Sequence, residues 1–108
     1  MTIDAGRSAD PPERLRAHDV RLRLEHERDS RLSQLDAVEE AADQASADLL
    51  AVRTDAVRRV LGEIDLAFAR LENGTYGVCE GCGSAIPAER LEILPYASRC
   101  VGCQQRTT

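Results

Sequence analysis

The sequence predicts a mainly α protein: an antiparallel coiled-coil helical hairpin with a small four-cysteine module at its base. Three observations carry that expectation. Apolar residues recur at three-four spacing through two long segments, four cysteines cluster in the last third of the chain, and aromatic residues make up only 3% of the 108 residues. A chain so poor in bulky side chains has room for one domain but little material for a conventional core. Paired helices lined with leucine, valine and alanine can be stable without aromatics.

Residues 1–9 show no periodicity and are expected to form a disordered tail. Residues 10–74 make the expected hairpin. Asp10 is placed as the N-cap of the first helix, with Pro11 at the first helical position, where its missing N–H costs nothing, and Glu13 at the capping-box position. Leu15, Leu22, Leu32, Leu35 and Val38 then fall on helical spacing, with Val20 and Leu24 beside them. The charged run Glu25 to Arg31 thins that stripe. In the second segment Leu49, Val52, Ala56, Val60, Ile64, Ala67 and Leu71 keep the rhythm, with Phe68 alongside. Asn73-Gly74 ends it, because glycine can take the left-handed conformation that closes a helix.

Isolated helices with such narrow stripes are marginal in water, so the two segments are expected to pack on each other. The reversal between them is not announced. No Gly or Pro lies between Asp36 and Asp48, and one unbroken helix pairing between chains is the competing arrangement. Ala37, Ala41, Ala42, Ala45 and Ala47 thin the stripe and favour a reversal within an acidic tip near residues 36–48.

Residues 75–108 hold the cysteines. Cys79-Glu80-Gly81-Cys82 and Cys100-Val101-Gly102-Cys103 are separated by seventeen residues, inside the range of a four-cysteine zinc site. Two residues between cysteines let a tight turn aim both sulfurs at one ion, and two such knuckles close a tetrahedron. Gly77, Gly81, Gly83 and Gly102 are expected to give those turns their backbone freedom. Disulfides or unconnected thiols are the bland alternatives, and a redox Cys-x-x-Cys lacks its βαβ setting. Four protein ligands leave no open position, so one structural Zn²⁺ is expected, holding a segment too short to fold on a core of its own.

The net charge is −5, unevenly spread. From Leu32 to Val52 there are five acids and no base, whereas Asp10 to Arg31 carries six acids and six arginines. Few bases argue against unaided binding to a nucleic-acid backbone. Sequence-specific DNA binding through the finger is disfavoured too, since residues 75–108 hold only Arg90, Arg99 and Arg106 as bases and no evident recognition helix. No stretch approaches a membrane span, and the N-terminus lacks a signal-peptide core, so a cytoplasmic location is expected. His18 and His26 sit among charges and read as surface residues. No activated nucleophile or phosphate loop is visible, so no enzyme is expected.

The run Leu71-Glu72-Asn73-Gly74-Thr75-Tyr76-Gly77-Val78-Cys79-Glu80-Gly81-Cys82-Gly83, with Ile86-Pro87, Arg90-Leu91, Pro95 and the second knuckle, resembles the zinc-finger region of the DksA/TraR family. The resemblance covers about the last third of the chain. It implies a coiled coil that enters the secondary channel of bacterial RNA polymerase and presents an acidic tip near the active site. The family's tip motif, Asp-x-x-Asp-x-Ala, falls without gaps on Asp36-Ala37-Val38-Glu39-Glu40-Ala41. Asp36, Glu39 and Ala41 are thus the partner-binding candidates, with Glu39 replacing the second aspartate. Composition alone favours a solvated turn there; the resemblance reverses that preference.

Three departures accompany the resemblance. An extra N-terminal helix found in longer members is not expected, and the C-terminal helix should be at most a stub. The tip lacks the proline often found there. Basic positions that longer members use for the alarmone ppGpp are Glu63, Leu94 and Gln104 here, so little ppGpp binding is expected. A zinc-stabilised adaptor for the ribosome or another protein stays open as the other reading. The chain is expected to be a monomer.

Overall fold

In a computed structural model, residues 16–41 and 46–107 are described, so the expected tail and the Asp10 cap lie outside the described residues. Four helices follow one another: α1 (Ala17–Glu40), α2 (Ala47–Asn73), α3 (Ala88–Ile93) and α4 (Val101–Thr107). The first two are long and pack on each other as an antiparallel hairpin. Val20 and Leu24, at the start of α1, share a core with Ile64 and Ala67, near the end of α2. Two helices packed this way replace the alternative of one unbroken helix.

Ser46 begins α2. Its hydroxyl accepts a hydrogen bond from the Leu49 N–H at 3.1 Å, satisfying one of the amides that a helix start leaves unpaired. The end is as expected: Gly74 is left-handed (φ 83°) and its N–H returns to the Arg70 carbonyl. Asn73 Oδ1 then accepts from the Thr75 N–H at 3.1 Å and hydroxyl at 2.6 Å, which fixes the exit from the helix.

The buried seam differs from the expected stripe. On α1 the buried residues are Val20 and Leu24, while Leu22 and Leu32 are exposed. On α2 they are Val57, Ile64, Ala67 and Arg70, while Leu49, Val52 and Ala56 face solvent. Leucine counts alone cannot tell two overlapping three-four stripes apart. The side that is covered depends on how the partner helix and the finger approach.

The last third wraps the base of the hairpin. An isolated antiparallel bridge joins Val78 to Ala85. Ile86, Leu91 and Ala97 are buried together with Cys79 and Cys103, with Tyr76, Leu94 and Cys100 against them. The finger therefore has a small apolar core of its own, contrary to the expectation that metal alone holds it. Tyr76 belongs to both clusters, and Tyr96 packs on the hairpin core, so the two units share a boundary.

Polar contacts reinforce that boundary. The Tyr76 hydroxyl donates to the Pro95 carbonyl at 2.7 Å. Burial pushes its pKa up, against the lowering effect of the Arg23 and Arg70 charges. The Arg23 guanidinium, on α1, donates to the Leu91 and Glu92 carbonyls at the end of α3. Arg70, buried on α2, pairs with Glu80 at 3.4 Å and donates to the Tyr96 carbonyl at 3.5 Å.

Candidate metal centre and acidic tip

Each knuckle has a local reason for its shape. In the first, the Cys79 N–H donates to the Ser84 carbonyl at 2.8 Å, the Gly83 N–H to the Cys79 carbonyl at 2.9 Å, and the Ile86 N–H to the Gly77 carbonyl at 2.8 Å. Gly83 turns the chain at φ 77°, a conformation that costs a side chain strain. Gly81 is required for a different reason. A Cβ there would lie 2.8 Å from Cys103 Sγ, so glycine lets the first knuckle close onto the second. Gly102, by contrast, lies within α4 with open space around its Cα and is not needed for a turn.

The second knuckle opens α4, and its Cys100 N–H donates to Cys79 Sγ at 3.3 Å. The Gly81 N–H donates to the same sulfur at 3.3 Å. All four cysteines are free of disulfides, and their sulfurs lie within 4.8 Å of one another. Cys79 and Cys100 are 3.8 Å apart and Cys82 and Cys100 4.0 Å. Zinc–sulfur bonds of about 2.3 Å in a tetrahedron require edges of about 3.8 Å, so these two edges match one zinc ion and the remaining sulfur pairs, all within 4.8 Å, lie close to it.

Local hydrogen bonds favour the thiolate at Cys79 and Cys82. The Cys100 amide chiefly, with those of Cys82 and Gly81, brings the Cys79 thiol down to about 6 against the pull of desolvation. Cys82 is also lowered, mainly by the Ser84 amide. Its neighbours push Cys103 up to about 11, Cys100 most of all: once the first sulfurs ionise, the last resists. Arg106 Nη2 lies 3.1 Å from Cys103 Sγ and offsets part of the negative charge that four thiolates leave around a divalent ion.

The tip candidates lie at the other end. Asp36 and Glu39 are exposed on the last turns of α1, and Ala41, half-buried, is its C-cap. Asp43 lies outside the described residues. The fold thus separates the predicted residues into two groups: the cysteines at the base of the hairpin, the carboxylates where α1 ends and α2 begins. Since α2 has 27 residues, the two ends are about 40 Å apart.

Sequence reasoning missed Arg23, Arg70 and Arg106. Arg106 could have been found, three residues after Cys103 and so on the same face of a helix. Arg70 could have been suspected, because it falls three residues after Ala67 on the apolar side of α2. Glu63, Leu94 and Gln104 do come together, lining a groove of about 420 Å³ with Arg90, Arg99 and Glu80. Glu63 and Glu80 put two carboxylates beside its two arginines.

A long helical hairpin whose base carries a closed four-thiol centre defines a C4-type zinc-finger protein. Residues 74–108 match the prokaryotic dksA/traR C4-type zinc finger, and the finger of this chain belongs to the DksA/TraR family. The RNA polymerase-binding transcription factor DksA of Caulobacter vibrioides is 42% identical over 69 residues, covering 60% of this chain and 49% of that protein. General stress protein 16O of Bacillus subtilis is 49% identical over 47 residues, 44% of this chain and 29% of that one. The matched part thus spans half or less of the length of these curated relatives. Over the whole fold, transcription factor DksA2 from Pseudomonas aeruginosa superposes with a TM-score of 0.68 at 25% identity, covering 92% of this chain and 91% of that one. Among the described residues, no helix is long and apolar enough to cross a membrane.

Proposed function

We propose that this protein is a cytoplasmic transcriptional regulator that binds bacterial RNA polymerase, inserts its acidic hairpin tip into the secondary channel and does not read DNA sequence. The observation that carries this reading is the charge at the end of α1. Glu39 and Glu40 occupy its last turn with no base among them, at the negative end of the helix dipole, where carboxylates weaken a helix. Acids kept where they oppose stability, at the far end of a stiff arm, suit a role toward a partner. The partner's chemistry would be basic groups or bound Mg²⁺, toward which a carboxylate acts strongly in a confined site and weakly in open water.

In this reading Cys79, Cys82, Cys100 and Cys103 hold one structural Zn²⁺, and residues 75–108 set the base from which residues 10–74 project. Asp36 and Glu39 act as fixed charges, with Ala41 keeping the helix end slim. The names of the DksA relatives support polymerase as the partner. Acting as a monomer, the protein would respond little to ppGpp, because Glu63, Leu94 and Gln104 supply no cation and Glu63 and Glu80 offset Arg90 and Arg99 in the same groove. Co-purification from bacterial lysate tests the partner: recovery of polymerase subunits supports the proposal, and ribosomal proteins in their place would favour an adaptor. Transcription from a sensitive promoter tests the tip. Asp36→Asn with Glu39→Gln should abolish regulation while polymerase is still bound, and an unchanged effect would reduce the tip to a solvated turn. Adding ppGpp to the same assay should leave the response unaltered.

A further inference from the structure

A second acidic surface lies in a groove between α1 and α2, away from the tip. Its volume is about 760 Å³, and its floor is apolar, formed by Leu32, Phe68 and Ala69. Phe68, the one phenylalanine of the chain, packs one side on the hairpin core and is only partly covered; Leu32 is 42% exposed. Glu25 and Asp29 stand on one wall, Asp65 and Glu72 on the other, with Arg28 as the one cation. Arg28 is 3.9 Å from Asp65. Among the described residues, Glu25, Asp29 and Glu72 have no ion-pair partner.

This arrangement opposes the stability of the hairpin. Glu25 and Asp29 are one helical turn apart and repel, and Glu72 sits in the last turn of α2, where the dipole disfavours it. A cationic segment laid between the walls would relieve both repulsions, and an apolar side chain on it would cover Phe68 and Leu32. From Glu25 to Leu32 the groove runs about 10 Å along α1, room for about two turns of helix. We infer that this groove is a docking site for a short basic amphipathic segment of a partner protein, with arginines or lysines between the walls and an aliphatic anchor on Phe68. It is distinct from the tip, and its use does not depend on what the tip does.

The test is fluorescence anisotropy of the zinc-loaded full chain with a labelled helical peptide of alternating arginine and leucine turns. A peptide with the leucines changed to serine and one with the arginines changed to glutamate serve as controls. Saturable binding is expected for the first peptide only, weakening with added salt. Each of Glu25→Gln, Asp29→Asn and Glu72→Gln should weaken it about two- to fivefold, the size of an exposed charge pair. Arg28→Gln should strengthen it, because it removes a like charge, and this variant separates docking from any loss of folding. Equal binding of the serine peptide, indifference to the three neutralised acids or weaker binding by Arg28→Gln would each overturn the inference. Saturable self-association that the same substitutions abolish would also overturn it, assigning the groove to a second copy of the chain.

Discussion

Gly81 stands 2.8 Å, measured from the Cβ it lacks, from a sulfur of the opposite knuckle, the tightest approach of any described glycine. In Gly81→Ala the methyl group must push Cys103 away and open the tetrahedron. Zinc affinity should fall at least tenfold in competition with a chromogenic chelator, whereas Gly102→Ala, with open space around it, should keep it. Arg70 presents a different case. Its guanidinium is buried while its partner Glu80 is nearly half exposed, so the two ends of the pair are unequal. Arg70→Ala should cost about 1–2 kcal/mol by stranding the Tyr96 carbonyl and opening a hole between hairpin and finger. Glu80→Gln, which still accepts a hydrogen bond from Arg70, should cost less. Urea denaturation of both variants measures the difference.

At the scale of elements, the two helices meet at the tip with opposite electrostatic character. Ser46 and Asp48 favour the start of α2, whereas Glu39 and Glu40 oppose the end of α1. Ser46→Ala should destabilise the hairpin by about 1 kcal/mol. Glu39→Gln combined with Glu40→Gln should instead raise the melting midpoint by about 2 °C. If the proposed role of the tip holds, that same double variant regulates transcription less well. Stability and function would then move in opposite directions, as expected for charges retained for a partner.

On the scale of the whole molecule, finger and hairpin stabilise each other through Tyr76, Tyr96, Arg23 and Arg70. Zinc removal should therefore lower the melting midpoint of the entire protein and not only erase the finger. Circular dichroism with and without a chelator checks this. Acid should act as the chelator does, because protons and zinc compete for the same sulfurs. Cys79, with its thiol lowered to about 6, keeps its thiolate to lower pH than Cys103, whose thiol is raised to about 11 and takes a proton back more readily. Affinity should rise with pH and zinc should be released in acid, read by a zinc-sensitive dye.

What the sequence determined by itself is local. Cysteine spacing defines the metal centre because a Cys-x-x-Cys turn is closed by its own backbone, and Asn73-Gly74 ends α2 because a left-handed cap needs only its nearest neighbours. Ser46 was missed: a serine just before an apolar rhythm resumes is a cap signal, but the alanines on either side of it masked that signal. Long-range packing decided the rest. Leu22, Leu49 and Val52 fit a helical stripe as well as Val20, Leu24 and Val57 do, yet only the second set faces a partner. A stripe drawn at three-four spacing has a neighbour rotated by a fraction of a turn, and the approach of the other helix chooses between them. The apolar cluster of Ile86, Leu91 and Ala97 has no periodicity to betray it, since its members come from turns and a single short helix. Arg23 and Arg70 read as surface charges until the finger folds back over them. That contact forms only when segments distant in sequence are brought together, so it was for the tertiary structure to decide.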